Sequence, residues 1–282
     1  MRRMVMKIIT DTGALLSPKE GEKLGVGVLP LNVIVDKKSY KEFVEIDSQE
    51  FLDMVKEGHI PSSSQPSIGE TIEMFEQYPD EELLVINMAD GLSGTYQSTM
   101  SAKESVDHSD NIHVINSMTL CGPQKYLVEK ALALKEKGLD IHHIMKELHK
   151  SIACEKSFLI PQDFGFLKRG GRLTPLAATL GGMLKITPIM TTTKDAKRLE
   201  KYAMKKTLKS AVKEIIKAFQ ELGVNEEFKI YVTHAGVLKQ AQDVVKQLQA
   251  TFENTIIEMY DLSPVFIAQG GPGCIAIQTI RK

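Results

Sequence analysis

Net charge is the first thing this sequence lacks: 35 lysines and arginines against 36 aspartates and glutamates leave a formal value of -1. No global field therefore favours nucleic acid or an anionic membrane as partner. Cysteine is scarce as well. Cys121, Cys154 and Cys274 are scattered and odd in number, which argues against a disulfide framework or a metal site of Cys-x-x-Cys spacing. A reducing, cytoplasmic compartment is the simplest expectation. Long apolar runs are missing too, since no stretch approaches the roughly 18 to 20 residues that span a bilayer. The opening Met1 to Met6 carries two arginines, but the short apolar run behind it meets Asp11 before a signal-peptide core can form. It reads as the entry to a strand. Internal repeats and low-complexity segments are absent.

What is there is an ordinary globular composition over 282 residues, 43% hydrophobic and 25% charged, enough for one large or two medium domains. Val5 to Asp11 has a buried-strand pattern, and Ser17-Pro18-Lys19-Glu20 supplies a cap, a first-turn proline and a capping-box glutamate for the helix after it. Gly27 to Val35 reads as a second apolar strand, and Asp47 with Glu50 opens a helix reaching about Lys56. Helix from Ser67 to Gln77, strand from Leu83 to Met88, helix from Thr95 to Ser105 and strand from Asn111 to Ile115 follow. Two consecutive helices, Gly122 to Lys137 and Asp140 to Lys150, close this half. Such alternation predicts a mostly parallel, doubly wound α/β sheet.

The chain then changes character, and a boundary is expected between about 152 and 165, giving domains 1–158 and 159–282. Ser157 to Pro161 reads as a short strand, Phe164 to Arg172 as a helical turn, and Thr174-Pro175 as the start of a helix stopping at Gly181-Gly182 before a strand from Lys185 to Thr191. The lysine-rich segment Lys194 to Lys209 reads as a solvated lead into a long helix ending near Leu222. Strands at Phe228 to Thr233, Ile256 to Asp261 and Cys274 to Ile280 alternate with helices at Lys239 to Leu248 and at Ser263-Pro264. The second domain is thus expected to be a smaller α/β unit of four strands, with the ligand in the cleft between the two.

Two loops of this pattern carry hydroxyls into helix starts. Pro61 to Gly69 reads Pro-Ser-Ser-Ser-Gln-Pro-Ser-Ile-Gly, with Ser67 and Glu70 spaced as a capping box. Asp90 to Thr95 reads Asp-Gly-Leu-Ser-Gly-Thr after the apolar run Leu83 to Met88. Gly91 and Gly94 permit close backbone approach, while Ser93 and Thr95 place hydroxyls at the next helix. Together the two units can aim hydroxyls and free amides at one anion.

Ser63-Ser64-Gln65-Pro66-Ser67, then Ser93-Gly94-Thr95-Tyr96-Gln97-Ser98, then Leu167-Lys168-Arg169-Gly170-Gly171-Arg172 and finally Gly271-Pro272-Gly273 occur in the order of the DegV family. The chain resembles that family over essentially its whole length. The resemblance implies a bacterial lipid-binding carrier without catalysis of its own, which holds a long-chain fatty acid such as palmitate or oleate and presents it to an ATP-dependent fatty acid kinase. It implies no cofactor, no metal and no stable membrane insertion. Matched residue by residue, Ser63 stands where the family commonly has threonine and Ser93 where it has the serine of its Ser-Gly motif. Both would hydrogen-bond the carboxylate, with Ser64, Gly94, Thr95, Gln269 and Gly273 around them. Gln269 replaces a histidine usual before Gly-Pro-Gly, and Lys201-Tyr202-Ala203-Met204 offers no arginine where the family carries one.

Other readings stay open beside it. Arg169 and Arg172 either pair with nearby carboxylates as a basic turn or flank the pocket mouth, steering an anionic headgroup or an acidic partner. A serine hydrolase would use Ser93 with His234, although Gly-x-Ser-x-Gly fails because Thr95 stands at the second glycine. A regulatory module binding another carboxylate or phosphate is the third reading. His142, His143 and His149 share one predicted helix and read as surface residues, and Asp11-Thr12-Gly13 reads as a strand-end turn with a supporting role.

Overall fold

The computed structural model describes residues 5–180 and 186–282. The chain runs from β1 (Met6–Asp11) through a 3-10 turn to α1 (Pro18–Leu24), β2 (Val26–Leu29), β3 (Asn32–Val35), β4 (Lys38–Lys41), α2 (Ser48–Lys56), β5 (Ser62–Ser64) and α3 (Ile68–Glu76). β6 (Glu82–Asn87), α4 (Thr95–Lys103), β7 (Ile112–Asn116), α5 (Cys121–Glu136) and α6 (Ile141–Ile152) complete the first half. Its helices begin where local chemistry dictates. At α3 the Glu70 N–H donates to Ser67 Oγ at 3.2 Å and the Ser67 N–H donates to Glu70 Oε2 at 2.9 Å, so two otherwise orphaned amides satisfy each other's residues.

β2, β1, β6 and β7 form, in that order, a four-stranded parallel sheet. Alternate residues bury opposite faces. Ile8, Leu84 and Ile86 pack against α5 and α6, while Ile9, Leu83, Val85 and Ile112 pack against Phe75 of α3 and Ala102 of α4. Helices therefore cover both faces, as the doubly wound expectation requires. The apolar run Gly27 to Val35 is not one strand. Pro30 has no amide to continue the ladder, so the chain breaks at Pro30-Leu31, β2 joins the parallel sheet, and β3 leaves for a small antiparallel sheet ordered β4-β3-β5. The serine run expected as loop is the edge strand β5, with Ser63 opposite Val33.

The second half contains β8 (Lys156–Ile160), α7 (Phe164–Gly170), α8 (Pro175–Ala178), β9 (Thr187–Thr192), β10 (Leu199–Lys205), α9 (Leu208–Glu221), β11 (Phe228–His234), α10 (Leu238–Gln249), β12 (Ile256–Asp261), α11 (Pro264–Gly270) and β13 (Ile275–Arg281). Six strands, not four, make its mixed sheet, ordered β10-β9-β8-β13-β11-β12, in which only β11 and β12 pair in parallel. The strand that no sequence segment announced is β10, placed where a lysine-rich lead into the helix was expected. It is an edge strand, and Glu200, Lys201 and Tyr202 face water, so its burial pattern never reaches the sequence. The expected helix stop at Gly181-Gly182 and strand start at Lys185 lie outside the described residues. The expected boundary between 158 and 159 falls inside β8, all of whose residues from Lys156 to Ile160 belong to the second sheet.

The two sheets share a core. α5 and α6 lie between them, so Leu84 and Ile86 of the first sheet and Tyr231 and Ile280 of the second belong to one buried cluster with Leu127, Ile144 and Leu148. A different face of the second sheet packs Phe158, Ile230, Val232 and Ile277 against α9 and α10.

Candidate functional site

One cavity opens between the ends of the parallel strands, α11 and the inward face of the second sheet. Its walls are mainly apolar, with Leu31, Met88, Leu92, Leu159, Met190 and Phe266 among them, and its empty volume is about 1050 Å³ with open solvent at the mouth included. Ser63, Ser64, Ser93, Gln269 and Arg172 all line it. Gly94, Thr95, Gly273 and Arg169, also expected at the site, support it from behind or lie outside it.

Ser93 is positioned by the turn after β6. Its N–H donates to the Ala89 carbonyl at 3.2 Å, its hydroxyl lies 2.8 Å from Thr95 Oγ1, and the Thr95 N–H donates to Ser93 Oγ at 3.3 Å. Gly94 serves as N-cap of α4 without a side-chain cap, leaving the helix start open for an anion. A Cβ at Gly94 would stand 2.7 Å from Gln65 Oε1, so the end of the Gln65 side chain lies directly over the Ser93 turn. Gln65 is thus the residue that couples the two loops, and its place in the Ser-Ser-Gln-Pro motif was the signal for it.

Ser63 meets the second half of the chain through Gln269, whose Nε2 donates to Ser63 Oγ at 3.0 Å. The Gln269 carbonyl oxygen lies against Gly170, where a Cβ would approach it to 2.1 Å. Arg172 fills the space beside this pair. Its Nε donates to the Leu92 carbonyl at 3.1 Å and its Nη1 donates to the Gly170 carbonyl. Among the described residues no carboxylate pairs with it, and burial alone lowers its pKa. The basic turn is therefore split: Arg172 points a half-buried cation at the cavity, whereas Arg169 is exposed and stacks on the Phe166 ring at 4.5 Å. Gly273 holds a left-handed φ of 78° and donates to the Ala235 carbonyl at 2.8 Å, shaping the turn before β13. Ala203 lies in β10 and packs against the core behind the second sheet.

A chain of buried carboxylates fixes α11, the helix that carries Gln269. Asp11 accepts from Gly13 N–H, Met88 N–H, Asn87 Nδ2 and Gln124 Nε2 at 2.9 to 3.1 Å. Burial raises its pKa against those bonds. Thr12 accepts from the Leu31 N–H at 2.9 Å and donates to Glu42, and Glu42 Oε2 accepts from the Val265 N–H of α11 at 3.0 Å. Burial pushes Glu42 up to about 7. Glu42 was not readable as a functional residue, because nothing local marks a glutamate in a turn as buried. Cys121 and Cys274 also line the cavity, but burial drives both thiols upward, Cys274 to about 12, so both stand as inert thiols.

The pairing needed by a hydrolase is not made: Ser93 Oγ faces Thr95, and His234 Nδ1 lies 3.2 Å from Asp261 Oδ1 at the end of β11. His142, His143 and His149 are exposed on α6, and among the described residues no three His, Cys, Asp or Glu side chains cluster to hold a metal ion. No helix among them is long and apolar enough to cross a membrane.

Comparison with known proteins places this arrangement. The chain is similar to a solved structure of DegV, a fatty acid binding protein from Bacillus subtilis, at 27% identity and a TM-score of 0.87, covering 99% of this chain and 100% of that one. A DegV family protein from Thermus thermophilus, whose structure is described for its fatty acid binding, matches at 25% identity and a TM-score of 0.89 over 99% and 100%. A DegV domain-containing protein from Halalkalibacterium halodurans is 31% identical over 275 residues, 96% of each chain. The family model described as "Uncharacterised protein, DegV family" matches residues 5–282. With its parallel sheet, mixed second sheet and whole-length matches, the chain belongs to the DegV family.

Proposed function

We propose that this protein binds a long-chain fatty acid, its carboxylate at Ser63, Ser93, Gln269 and Arg172 and its hydrocarbon tail in the cavity between the two sheets. The observation that carries the reading is the mixed lining of one cavity: the Ser63 and Ser93 hydroxyls, the Gln269 amide and the Arg172 guanidinium, which pairs with no carboxylate among the described residues, share it with leucine, methionine and phenylalanine side chains. Burying a methylene contributes about 0.8 kcal/mol, so a sixteen-carbon chain gains on the order of 10 kcal/mol gross before ordering costs. Removing a carboxylate from water offsets much of that unless new hydrogen bonds and a cation replace the hydration. Serine hydroxyls, the open start of α4 and Arg172 are suited to that replacement. The solved relatives of known fatty acid binding support the same ligand.

The partner that follows from the family resemblance is a separate ATP-dependent fatty acid kinase, to which the carrier presents the acid group for phosphorylation. The carrier's part is positioning and exclusion of water. Denaturing mass spectrometry of freshly purified protein is expected to release palmitate or oleate, and palmitate is expected to raise the melting temperature of the delipidated protein. Ser93→Ala removes one hydrogen bond to a charged acceptor, which predicts an affinity loss of about tenfold or more. ATP and palmitate with this protein alone should give no acyl phosphate. Absence of any released lipid together with no thermal shift rules the reading out.

A further inference from the structure

A second group of polar side chains, Thr119, Ser157 and Gln278, lines the cavity away from the serine loops. Cys274, just before β13, and Ala276 and Gln278 within it line the cavity at alternate positions, and Leu159 and Ser157 of β8 stand opposite Ala276 and Gln278. Cys274 marks the end nearest the serine loops, because a Cβ on Gly270, next to Gln269, would stand 2.6 Å from Cys274 Sγ. Gln278 lies four residues further on, about 14 Å along an extended strand. There Thr119 Oγ1 donates to Glu155 Oε1 at 3.0 Å, Ser157 Oγ donates to the same oxygen, and Gln278 Nε2 donates to Ser157 Oγ at 2.7 Å and to the Leu120 carbonyl at 3.1 Å. Thr119 and Gln278 are each 1% exposed. Gln278 Oε1 is left buried without a partner.

We propose that this cluster recognises a hydroxyl carried part-way along the acyl chain, so that the pocket prefers a mid-chain hydroxylated fatty acid to the plain acid. The inference rests on the fatty-acid reading of the same cavity and names its substrate class. A buried amide oxygen without a partner is a standing penalty, and a hydroxyl donor brought to it by the ligand removes it while the donors already satisfied inside the cluster stay in place. Hydrophobic pockets discriminate poorly against one added hydroxyl, but a site that hydrogen-bonds a hydroxyl rejects the analogue lacking it. With C–C bonds of about 1.5 Å, whose zigzag advances about 1.3 Å per carbon, a 14 Å span corresponds to about eleven carbons of extended chain, which puts the hydroxyl near C12. A buried water on Gln278 Oε1 would satisfy the same atom without any ligand preference.

Delipidated full-length protein titrated calorimetrically with stearate and with 12-hydroxystearate decides between these. The expected result is about tenfold tighter binding of the hydroxylated acid, with that ratio collapsing towards one in Gln278→Met. Equal affinities in the unsubstituted protein overturn the proposal in favour of a bound water. A preference that survives Gln278→Met overturns it too, as does a Gln278→Met protein in which both affinities fall together with the ratio intact. Gln278→Leu, which removes the same amide oxygen with a different side-chain shape, provides the same ratio should Gln278→Met fail to fold. Binding of neither acid sinks the fatty-acid reading itself, and is told apart because the ratio is then undefined.

Discussion

Glu42 connects the strand-end turn at Thr12 to the first turn of α11, and α11 carries the amide that meets Ser63. Its carboxyl is fully buried and pushed up to about 7 from an ordinary 4.5. The folded protein therefore holds this proton more tightly than the unfolded chain does. Glu42's favourable contribution is complete below about pH 4.5 and is lost as the pH climbs through about 7, a change of about 3 kcal/mol. Urea unfolding at pH 5 and pH 8 should show a smaller loss of stability across that window in Glu42→Gln than in the unsubstituted protein; equal losses would refute the assignment. Ser63, Ser93 and Gln269 were legible from hydroxyl-bearing loops and a family motif. Glu42 and Gln278 were not singled out, because each becomes significant only through a residue far away in sequence.

At the level of elements, α5 shows how closely one helix can be seated against a strand. A Cβ on Gly122 would stand 2.2 Å from Tyr231 Cγ, so this helix start touches the β11 ring directly. Gly122→Ala forces the helix or the sheet to move and is expected to cost about 1–3 kcal/mol. Gly69 in α3 is the contrast, since the nearest atom to its Cβ would be Ser67 Oγ at 4.0 Å. Gly69→Ala is expected to stabilise by about 0.4–1 kcal/mol through the unfolded chain. Thermal unfolding of both variants checks the pair, and a stabilised Gly122→Ala would contradict the packing described. Most helices were readable because caps and apolar stripes are local, as at Ser17, Ser67 and Asp140. β10 escaped notice because an edge strand needs only one paired side and leaves its other residues to water.

Over the whole molecule, the α5–α6 layer makes one core of residues from both sheets, and the cavity is walled by both. The two halves should therefore open as one cooperative unit, with the slowest amides of β1 and β13 exchanging hydrogen at the same global free energy. Palmitate at about a hundred times its dissociation constant is expected to add about 2.7 kcal/mol to both strands alike. Native-state hydrogen exchange measures this directly. Protection gained in β13 alone would mean that the ligand closes on one half only.

The buried strands of the parallel sheet and most helix starts were determined by the sequence itself, since a capping box spans four residues and a buried strand shows its own apolar run, whereas the edge strands β5 and β10 were not. The site was decided by tertiary structure. Gln269 reaches Ser63 across 206 positions and Glu42 reaches Val265 across 223, so these bonds exist only once two sheets have closed on a shared helical layer. The reason is one of range: capping and alternation are settled within a turn or two of chain, whereas a desolvated cation, an orphaned amide oxygen and a cavity are properties of surfaces brought together by packing.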